Sequence, residues 1–481
     1  MKQTSLKKNA FYNMLRGLMN IIFPIISFPY ASRILMPEGL GKVNFANSVI
    51  EYFVLFALLG IKAYASRECA RVRDDREKLS RLAKEILIIN AVSTVISYIL
   101  LFFALVFIPK FAEYRILLIV CSTKILFSTI GMDWLYTANE EYRYITMRSV
   151  FFQFLSLVFL FTFVKAPDDY VFYAGMGVFS SVGSNFCNLI YSRRFINIFT
   201  KSPLNLKRHF KPVLTFFGTT LAGKLHSALD AVMLGFLLSS TSVGYYSAAS
   251  KISLLVRQLI QAICQSLMPR SSYYLETGEI EKFNKMVYKA ADVVFFFSVP
   301  AAFGLYFLCK PLIIIFSGDQ YLPALSAMKI IVPTVIICSF NSFLNNLILI
   351  PNRKEKIFLI AQCIAAGLNI VLNAVFIPLL GVFGAALATL LVEAATVIVS
   401  LSACLDYFKT RDIYIAFLQA LTGAVIMFAG IFFMFSSLAN PFLQTVFSIF
   451  TGGLIYAVVM LIFKNQTALM ILNIFKKKVK K

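Results

Sequence analysis

Several basic side chains lie inside long apolar stretches of this chain, where a positive charge is costly to place. They are Arg16, Arg33, Lys62, Lys124, Lys224, Lys251, Arg257 and Lys329. At the centre of a membrane helix a charge costs roughly 2.5–3.5 kcal/mol on insertion scales, so it normally faces a polar interior. Arginine binds a phosphate through a two-pronged guanidinium, and lysine binds it as a point charge. This chemistry predicts an anion-binding, water-filled cavity lined by Lys124, Lys224 and Arg257, which lie nearest mid-stretch.

The cations closer to the ends of their stretches admit a second interpretation. Arg16, Arg33 and Lys62 are near enough to an end for their long side chains to extend to the membrane surface. For these three residues, the sequence supports lining the cavity and extending to the membrane surface equally well.

Acidic side chains in or beside the same stretches are fewer than the basic ones. They are Glu51, Asp133, Asp230, Asp292 and Glu393. Such a carboxylate either pairs structurally with a lysine or arginine, or it takes part in proton or cation transfer. His226 and Asp230 are four residues apart and share a helix face, which is a candidate protonation site or a structural pair. The excess of cations predicts an anionic substrate.

Polar side chains also repeat every four residues within single stretches. The stripes are Arg257/Gln261/Gln265, Asn341/Asn345 and Asn369/Asn373. Stripes of this kind either join helices by hydrogen bonds or line a hydrophilic path, and the nearby cations favour the path. GTTLAGK at residues 218–224 matches the phosphate-binding pattern GxxxxGK. It lacks the following Ser or Thr and the preceding strand, so nucleotide binding is not expected.

Continuous apolar runs must position these side chains. The chain has 481 residues, of which 59% are hydrophobic and 14% charged, whereas soluble proteins average roughly 45–50% apolar and about 25% charged residues. A bilayer core takes about 20 apolar residues per helix, and barrel strands would alternate instead. We therefore predict an all-α polytopic membrane protein with about fourteen spans, among them 11–34 and 42–66, and 357–377 and 382–405.

The net charge of +23 is unevenly distributed along the chain. Lys and Arg concentrate in the N-terminus, in every second loop and in the tail, which holds Lys476, Lys477, Lys478, Lys480 and Lys481. Basic clusters also bind nucleic acids, but this alternation is the positive-inside pattern of membrane proteins. It predicts no nucleic-acid partner, cytoplasmic termini, and contact between the tail and anionic membrane lipids.

A weak internal repeat relates the two halves of the chain. GLGKVNFANSV at 39–49 resembles SVGYYSAASKI at 242–252, and each enters the second span of its half. Parallel repeats of this kind place a substrate site between two lobes. We predict a six-helix N-terminal lobe, a six-helix C-terminal lobe and a final helix pair with the basic tail, over residues 1–205, 206–405 and 406–481.

Five blocks, in order over nearly the whole chain, resemble one family of membrane transporters. The blocks are FPYASRILMPEGLGKVNFANSVIEYFVLFALLGIKAYASRECARVRDD, DWLYTANEEYRYITMRS, LDAVMLGFLLSSTSVGYYSAASKI, LMPRSSYYLETGEIEKF and LIPNRKEKI. They resemble the polysaccharide-export branch of the multidrug/oligosaccharidyl-lipid/polysaccharide (MOP) exporter superfamily, the Wzx-type O-antigen flippases.

This resemblance implies a MATE-like fold and a lipid-linked substrate. Two lobes would enclose a cationic cavity and, by alternating access, carry an undecaprenyl-diphosphate-linked oligosaccharide from the cytoplasmic to the periplasmic leaflet of a bacterial inner membrane. It implies diphosphate contacts for Arg33, Lys62 and Lys251. Lys124, Lys224 and Arg257 are added to these substrate-binding residues on the membrane argument alone. It implies ion coupling by Asp133 and Asp230, to which we add Glu393. No cofactor is expected beyond H⁺ or Na⁺ as the coupling ion, and a polysaccharide polymerase and a chain-length regulator are candidate partners.

Two other functions fit parts of the pattern. A drug-exporting antiporter of the same superfamily would handle organic cations and need an acidic cavity, which the embedded lysines and arginines disfavour. A membrane glycosyltransferase or O-antigen polymerase usually displays a long outer loop with catalytic side chains, and no long outer loop is predicted here.

Overall fold

Every regular element in the described part of the chain is a helix. The computed structural model describes residues 6–200, 203–408 and 411–479; the side chains of 6, 7, 10, 219, 222, 225–227, 475 and 477–479 lie outside the description. The α-helices within these residues are α1 (Leu6–Leu58), α2 (Ile61–Arg71), α3 (Arg76–Phe107), α4 (Pro109–Ala112), α5 (Arg115–Ile130), α6 (Asp133–Ala138), α7 (Tyr142–Phe163), α8 (Tyr170–Ser192), α9 (Lys207–Leu237), α10 (Ser240–Glu276), α11 (Ile280–Phe316), α12 (Leu325–Ile331), α13 (Thr334–Phe343), α14 (Glu355–Ser402), α15 (Arg411–Phe435), α16 (Pro441–Ile462) and α17 (Gln466–Val479). A π-helical segment, Leu344–Leu349, extends α13.

Many of these helices are long and apolar enough to cross a membrane. Within the described residues, eight helices are long and apolar enough to cross a membrane, judged by length and composition. A ninth span is added if Asp319–Ile331 and Thr334–Leu349, which are bent by 43° relative to each other, form one broken span. The prediction of an all-α, multi-pass membrane protein is confirmed. The count of fourteen spans stays a prediction.

The two longest helices each contain a break in the backbone. α1 has 53 residues, about 80 Å at 1.5 Å per residue, which is more than twice a bilayer core of about 30 Å. It is interrupted at Met36, with φ 59°, directly before Pro37, and proline disfavours helical backbone in the residue before it. α14 is interrupted at Gly381, with φ 62°, a conformation that suits glycine because it has no Cβ. Each break lies between two predicted spans.

Side-chain caps mark the beginnings of two helices. Asp75 precedes α3 and accepts the backbone N–H groups of Lys78 and Glu77 at 3.0 and 3.1 Å, and these hydrogen bonds hold the pKa of its carboxyl below the usual value. Asn440 precedes α16 and accepts from Phe442 N and Leu443 N. Both residues satisfy N–H groups that a helix leaves without partners in its first turn.

The chain divides into two compact units, Met1–Gly244 and Tyr245–Lys481. In the first unit, α9 packs against α1 and α2, and the beginning of α10 approaches α1 very closely. A Cβ on Gly41 would collide with the Ser240 carbonyl, and one on Gly244 would collide with the Pro37 carbonyl. The predicted boundaries at residues 205 and 405 stay predictions.

In the second unit, α11 packs against α15 and α16 and also holds the last helix. Asp292 of α11 is 6% exposed. Its carboxylate accepts from Asn465 Nδ2 at 2.6 Å, from the Thr467 backbone N–H at 2.9 Å and from the Thr467 hydroxyl at 2.6 Å. A buried carboxylate on α11 thus fixes the first turn of α17.

Candidate functional site

The first unit contains a polar cavity of about 390 Å³. Its wall comes from α1, α2, α5, α6, α7 and α8. Its charged side chains are three cations, Arg16, Lys62 and Arg148, and one carboxylate, Asp133. Much of the remaining wall carries hydroxyl and amide groups, as on Ser128, Ser149, Asn20, Gln153, Ser180, Ser181, Ser184 and Asn185. The cavity therefore suits a hydrated anion better than a cation.

In the described residues, only one oxygen of the Asp133 carboxylate, Oδ1, accepts hydrogen bonds. Asp133 lies just after Met132, whose φ of 46° marks the sharp turn between α5 and α6. Its Oδ1 accepts from Asn188 Nδ2 at 2.9 Å and from Arg148 Nη2 at 3.3 Å. Because both of these bonds go to Oδ1 and the side chain is 33% exposed, Oδ2 is available to the cavity. A carboxylate in this position can accept a proton or contact a small cation.

Arg148 is the residue of this site that the sequence analysis did not single out. It is 8% exposed and donates through Nη1 to the Ser184 carbonyl at 3.0 Å, while its Nη2 reaches Asp133. It lies within the second of the five sequence blocks, seven residues into α7. The available signal was a basic residue in the second turn of a predicted span, a position that equally suits a cation near the membrane surface.

A second cavity, of about 260 Å³, adjoins the first and shares Gln153, Gly177 and Ser180 with it. Asn47 lines this second cavity and accepts from Lys124 Nζ at 2.6 Å. Gln153 donates to Asn20 Oδ1 at 2.9 Å across the wall of the first cavity. Polar side chains are thus shared between the two cavities of the first unit, and Lys124 contacts the wall of the second one through Asn47.

The remaining predicted residues of the first unit lie outside the lining of these two cavities. Lys224 of α9 forms an ion pair with Glu51 of α1 at 2.5 Å, and both side chains are substantially exposed. Arg33 is exposed on α1, whereas Asp230 is buried on α9. The side chain of His226 lies outside the described residues.

The second unit contains a separate charged cluster. Arg257 Nη1 of α10 lies 3.5 Å from Glu393 Oε1 of α14 and 3.0 Å from Cys338 Sγ of α13. The Arg257 and Glu393 side chains are 14% and 13% exposed. Lys251, two turns earlier on α10, is half-buried. The ligand-binding and ion-coupling roles of all these residues stay predictions.

An amide and hydroxyl chain continues from this charged cluster. Asn341 Nδ2 donates to Thr396 Oγ1 at 3.2 Å, and Thr396 donates to the Glu393 carbonyl at 2.7 Å. Asn345, in the π-helical segment, donates to the Asn341 side chain at 2.9 Å. The polar stripe predicted on this span is therefore engaged in hydrogen bonds inside the second unit.

The first unit also contains a buried cluster of charged and polar side chains that the sequence analysis did not predict. Glu85 of α3 is fully buried and accepts from the Asn205 backbone N–H at 2.7 Å and from Arg208 at 2.5 Å. His209 Nε2 lies 2.8 Å from Glu85 Oε2, and its Nδ1 lies 2.6 Å from the Tyr64 hydroxyl. This cluster fixes the first turn of α9, with Asn205 just before it, to α3. Across the described residues, no group of three or more His, Cys, Asp or Glu side chains is arranged to hold a metal ion.

Comparison with known families decides the family of this chain. The model of the polysaccharide biosynthesis protein family matches residues 6–275, more than half of the sequence. The chain belongs to this family. The MatE family model also matches residues 217–375, so the predicted membership of the polysaccharide-export branch of the MOP superfamily is confirmed.

Individual relatives agree with this assignment. The chain is 24% identical over 394 residues to a putative O-antigen transporter of Escherichia coli K12, covering 81% of this chain and 94% of the relative. It is 23% identical over 248 residues to a probable low-salt glycan biosynthesis flippase of Haloferax volcanii, covering 51% of this chain and 52% of the relative.

Two solved transporter structures share the fold of this chain. The lipid II flippase MurJ in an inward closed conformation aligns with a TM-score of 0.76 at 17% identity, over 95% of this chain and 99% of that one. An inward-facing multidrug resistance MATE transporter aligns with a TM-score of 0.62 at 15% identity, over 85% and 97%. These likenesses confirm the MATE-like fold.

Proposed function

We propose that this protein is a flippase that moves a lipid-linked oligosaccharide across a membrane without changing its covalent structure. The observation that carries the proposal is the cavity of the first unit, in which Arg16, Lys62 and Arg148 face a single carboxylate, Asp133. Three cations against one acid suit a phosphate or diphosphate, since guanidinium and ammonium groups form charge-assisted hydrogen bonds with its oxygens. The flippase and transporter relatives support the same function.

The finer substrate is proposed on the same ground. Undecaprenyl diphosphate carrying an oligosaccharide repeat unit combines an anionic headgroup with hydroxyl-rich sugars, and serine, asparagine and glutamine side chains of the cavity match those hydroxyls. A drug-exporting antiporter is the alternative in the same superfamily. It handles organic cations, which this cavity would repel. A polysaccharide polymerase and a chain-length regulator are the proposed partners.

Reconstitution tests the proposal directly. Proteoliposomes holding only this protein should expose a defined undecaprenyl-diphosphate oligosaccharide to an impermeant sugar-modifying reagent on the opposite leaflet, and the lipid should emerge chemically unchanged. Lys62→Gln should slow this exposure roughly tenfold or more, because it removes a charge-assisted hydrogen bond of about 1.5–3 kcal/mol. Lys62→Arg should retain more activity.

A matched control separates a cavity effect from a general charge effect. Lys165 is exposed and lies outside the cavity, so Lys165→Gln should flip at the wild-type rate. Equal rates for the two glutamine variants would contradict the cavity assignment. Chain extension of the sugar, or transport of organic cations in place of the lipid, would contradict the flippase function itself.

Ion coupling is proposed at Asp133, with H⁺ or Na⁺ as the coupling ion and Asp230 and Glu393 as further candidates. An imposed gradient of the correct ion should accelerate wild-type flipping. Asp133→Asn keeps the shape of the side chain but removes its charge, so it should abolish the acceleration and leave the gradient-free rate measurable. A variant that still responds fully to the gradient would exclude Asp133.

A bacterial inner-membrane location with both termini in the cytoplasm is proposed from the positive-inside pattern. Single cysteines test it, with positions chosen by exposure in the structure: Ser239 for the periplasmic side, Asp74 and Asn205 for the cytoplasmic side. An impermeant thiol reagent added to whole cells with a permeable outer membrane should label only Ser239→Cys. The opposite labelling would reverse the orientation.

A further inference from the structure

The second unit contains a groove of about 570 Å³ at the end of α11, bordered by α12 and by the turn between α15 and α16. Its wall carries two basic side chains, Lys310 and Lys329, and no acidic side chain belongs to the described lining. Both lysines are exposed. In the described part of the chain, neither forms an ion pair with a carboxylate. Lys329 was among the embedded cations of the sequence and has no place in the proposed transport cavity.

An aromatic wall lies beside the two lysines. Phe307 lies 6.1 Å from Phe428 and 6.3 Å from Phe432, measured between ring centroids, and Phe428 and Phe432 stack at 6.2 Å. Lys329 Nζ lies 5.8 Å from the centroid of the Tyr306 ring. Phe432 is 48% exposed. This wall continues onto the apolar outer face of α15, where Phe433 is 83% exposed, so the groove joins a membrane-facing surface.

The beginning of α16 and the turn before it add polar side chains to the groove. Pro441 and Gln444, from its first turn, line the groove together with Ser436 and Ser437 of the preceding turn. The Asn440 side chain already accepts from two first-turn N–H groups of α16, so the positive charge of the groove comes from the two lysines. The serine hydroxyls can donate hydrogen bonds to oxygen atoms in the groove.

Charge and apolarity together define the ligand. Two cations without a carboxylate beside them call for an anion, and a small soluble anion would leave the aromatic wall uncovered. The geometry points to a binding site for an anionic phospholipid, with its phosphate between Lys310 and Lys329 and an acyl chain along the rings of Phe428 and Phe432. A lipid held there joins α11 and α12 to the α15–α16 pair. The site is separate from the transport cavity and does not depend on the proposed substrate.

Native mass spectrometry of the full chain in detergent tests this site with phosphatidylglycerol as the probe. The wild type should retain one phosphatidylglycerol per protein under conditions that remove phosphatidylcholine. The double variant Lys310→Gln/Lys329→Gln should lower this retention by about tenfold or more, since both charge-assisted contacts are lost. Lys310→Arg/Lys329→Arg should preserve retention, and Phe432→Ala should weaken it with both charges in place.

The matched control removes two other positive charges, both of them from α11. Lys285 and Lys289 are exposed at the opposite end of α11, and Lys285→Gln/Lys289→Gln should retain lipid as the wild type does. Equal losses in the two glutamine doubles would overturn the site in favour of general charge attraction. Displacement of the lipid by inorganic phosphate would overturn the role of the acyl chain. Preferential retention of farnesyl diphosphate over phosphatidylglycerol would assign the site to isoprenoid diphosphates instead.

Discussion

The Arg257–Glu393 pair offers a quantitative test of how the second unit is built. The perturbation is a double-mutant cycle of Arg257→Met, Glu393→Gln and the two together. Breaking a buried pair by removing one partner costs about 3–5 kcal/mol, because a charge is left buried without compensation. The side chains here keep 14% and 13% exposure, and the N–O distance is a long 3.5 Å. We therefore expect each single variant to lose about 2–3 kcal/mol.

The double variant should recover much of this loss. No uncompensated charge remains in it, and the buried Arg257 Nε, which has no hydrogen-bond partner among the described residues, is removed as well. A coupling energy of about 1–3 kcal/mol should separate the double variant from the sum of the singles. Denaturant unfolding of protein in lipid nanodiscs gives the free energies, and flipping in proteoliposomes gives the function of each variant.

A second ion pair in the same chain serves as the control. Lys224 and Glu51 are 44% and 53% exposed, and a pair that water reaches, as in the water-filled cavity predicted for Lys224, contributes about 0–1 kcal/mol. The cycle of Lys224→Met and Glu51→Gln should therefore show coupling of at most about 1 kcal/mol. Strictly additive losses at Arg257 and Glu393 would refute the reasoning about burial. A stable double variant that flips at the wild-type rate would show that the pair serves structure alone.

Three further changes test other features. Glu85→Gln should lose about 3–5 kcal/mol of stability and raise amide exchange at the beginning of α9, because its first turn loses a buried anchor. Unchanged exchange there would contradict that role. Gly41→Val should cost about 3 kcal/mol or more, since its side chain would collide with the Ser240 carbonyl, whereas wild-type stability would contradict the close approach. Asn465→Ala should cost about 1–3 kcal/mol and make α17 more sensitive to protease than in the wild type. Equal protease sensitivity of the two proteins would show that the Asn465–Asp292 hydrogen bond does not anchor α17.

The helices could be predicted from the sequence because hydropathy and proline act locally. Pro37 and Gly381 both lie at breaks between predicted spans. The pairing of charges could not be predicted in the same way. Lys224 and Glu51 are 173 residues apart, and Arg257 and Glu393 are 136 residues apart, so only the packing of helices brings them together.

Two sites illustrate what the sequence could not provide. Arg148 resembled an ordinary cation near a membrane surface, and only its contacts with Asp133 and Ser184 identify it as part of a cavity wall. His209 lies in a basic segment that reads as a loop, yet it is 1% exposed and contacts Glu85. Burial of a polar side chain depends on what packs over it, and a single sequence does not specify that.

The anchoring of α17 by Asp292 has a consequence for how the protein is made. The carboxylate enters the membrane on α11, but its partner Asn465 is synthesised 173 residues later, which takes roughly 9–35 s at ordinary translation rates. Throughout that interval the hydrogen bonds from Asn465 and Thr467 to Asp292 cannot form. The C-terminal segment thus completes the packing of the second unit, and a chain cut short before residue 465 leaves the Asp292 carboxylate without these partners, a defect open to quality-control proteases.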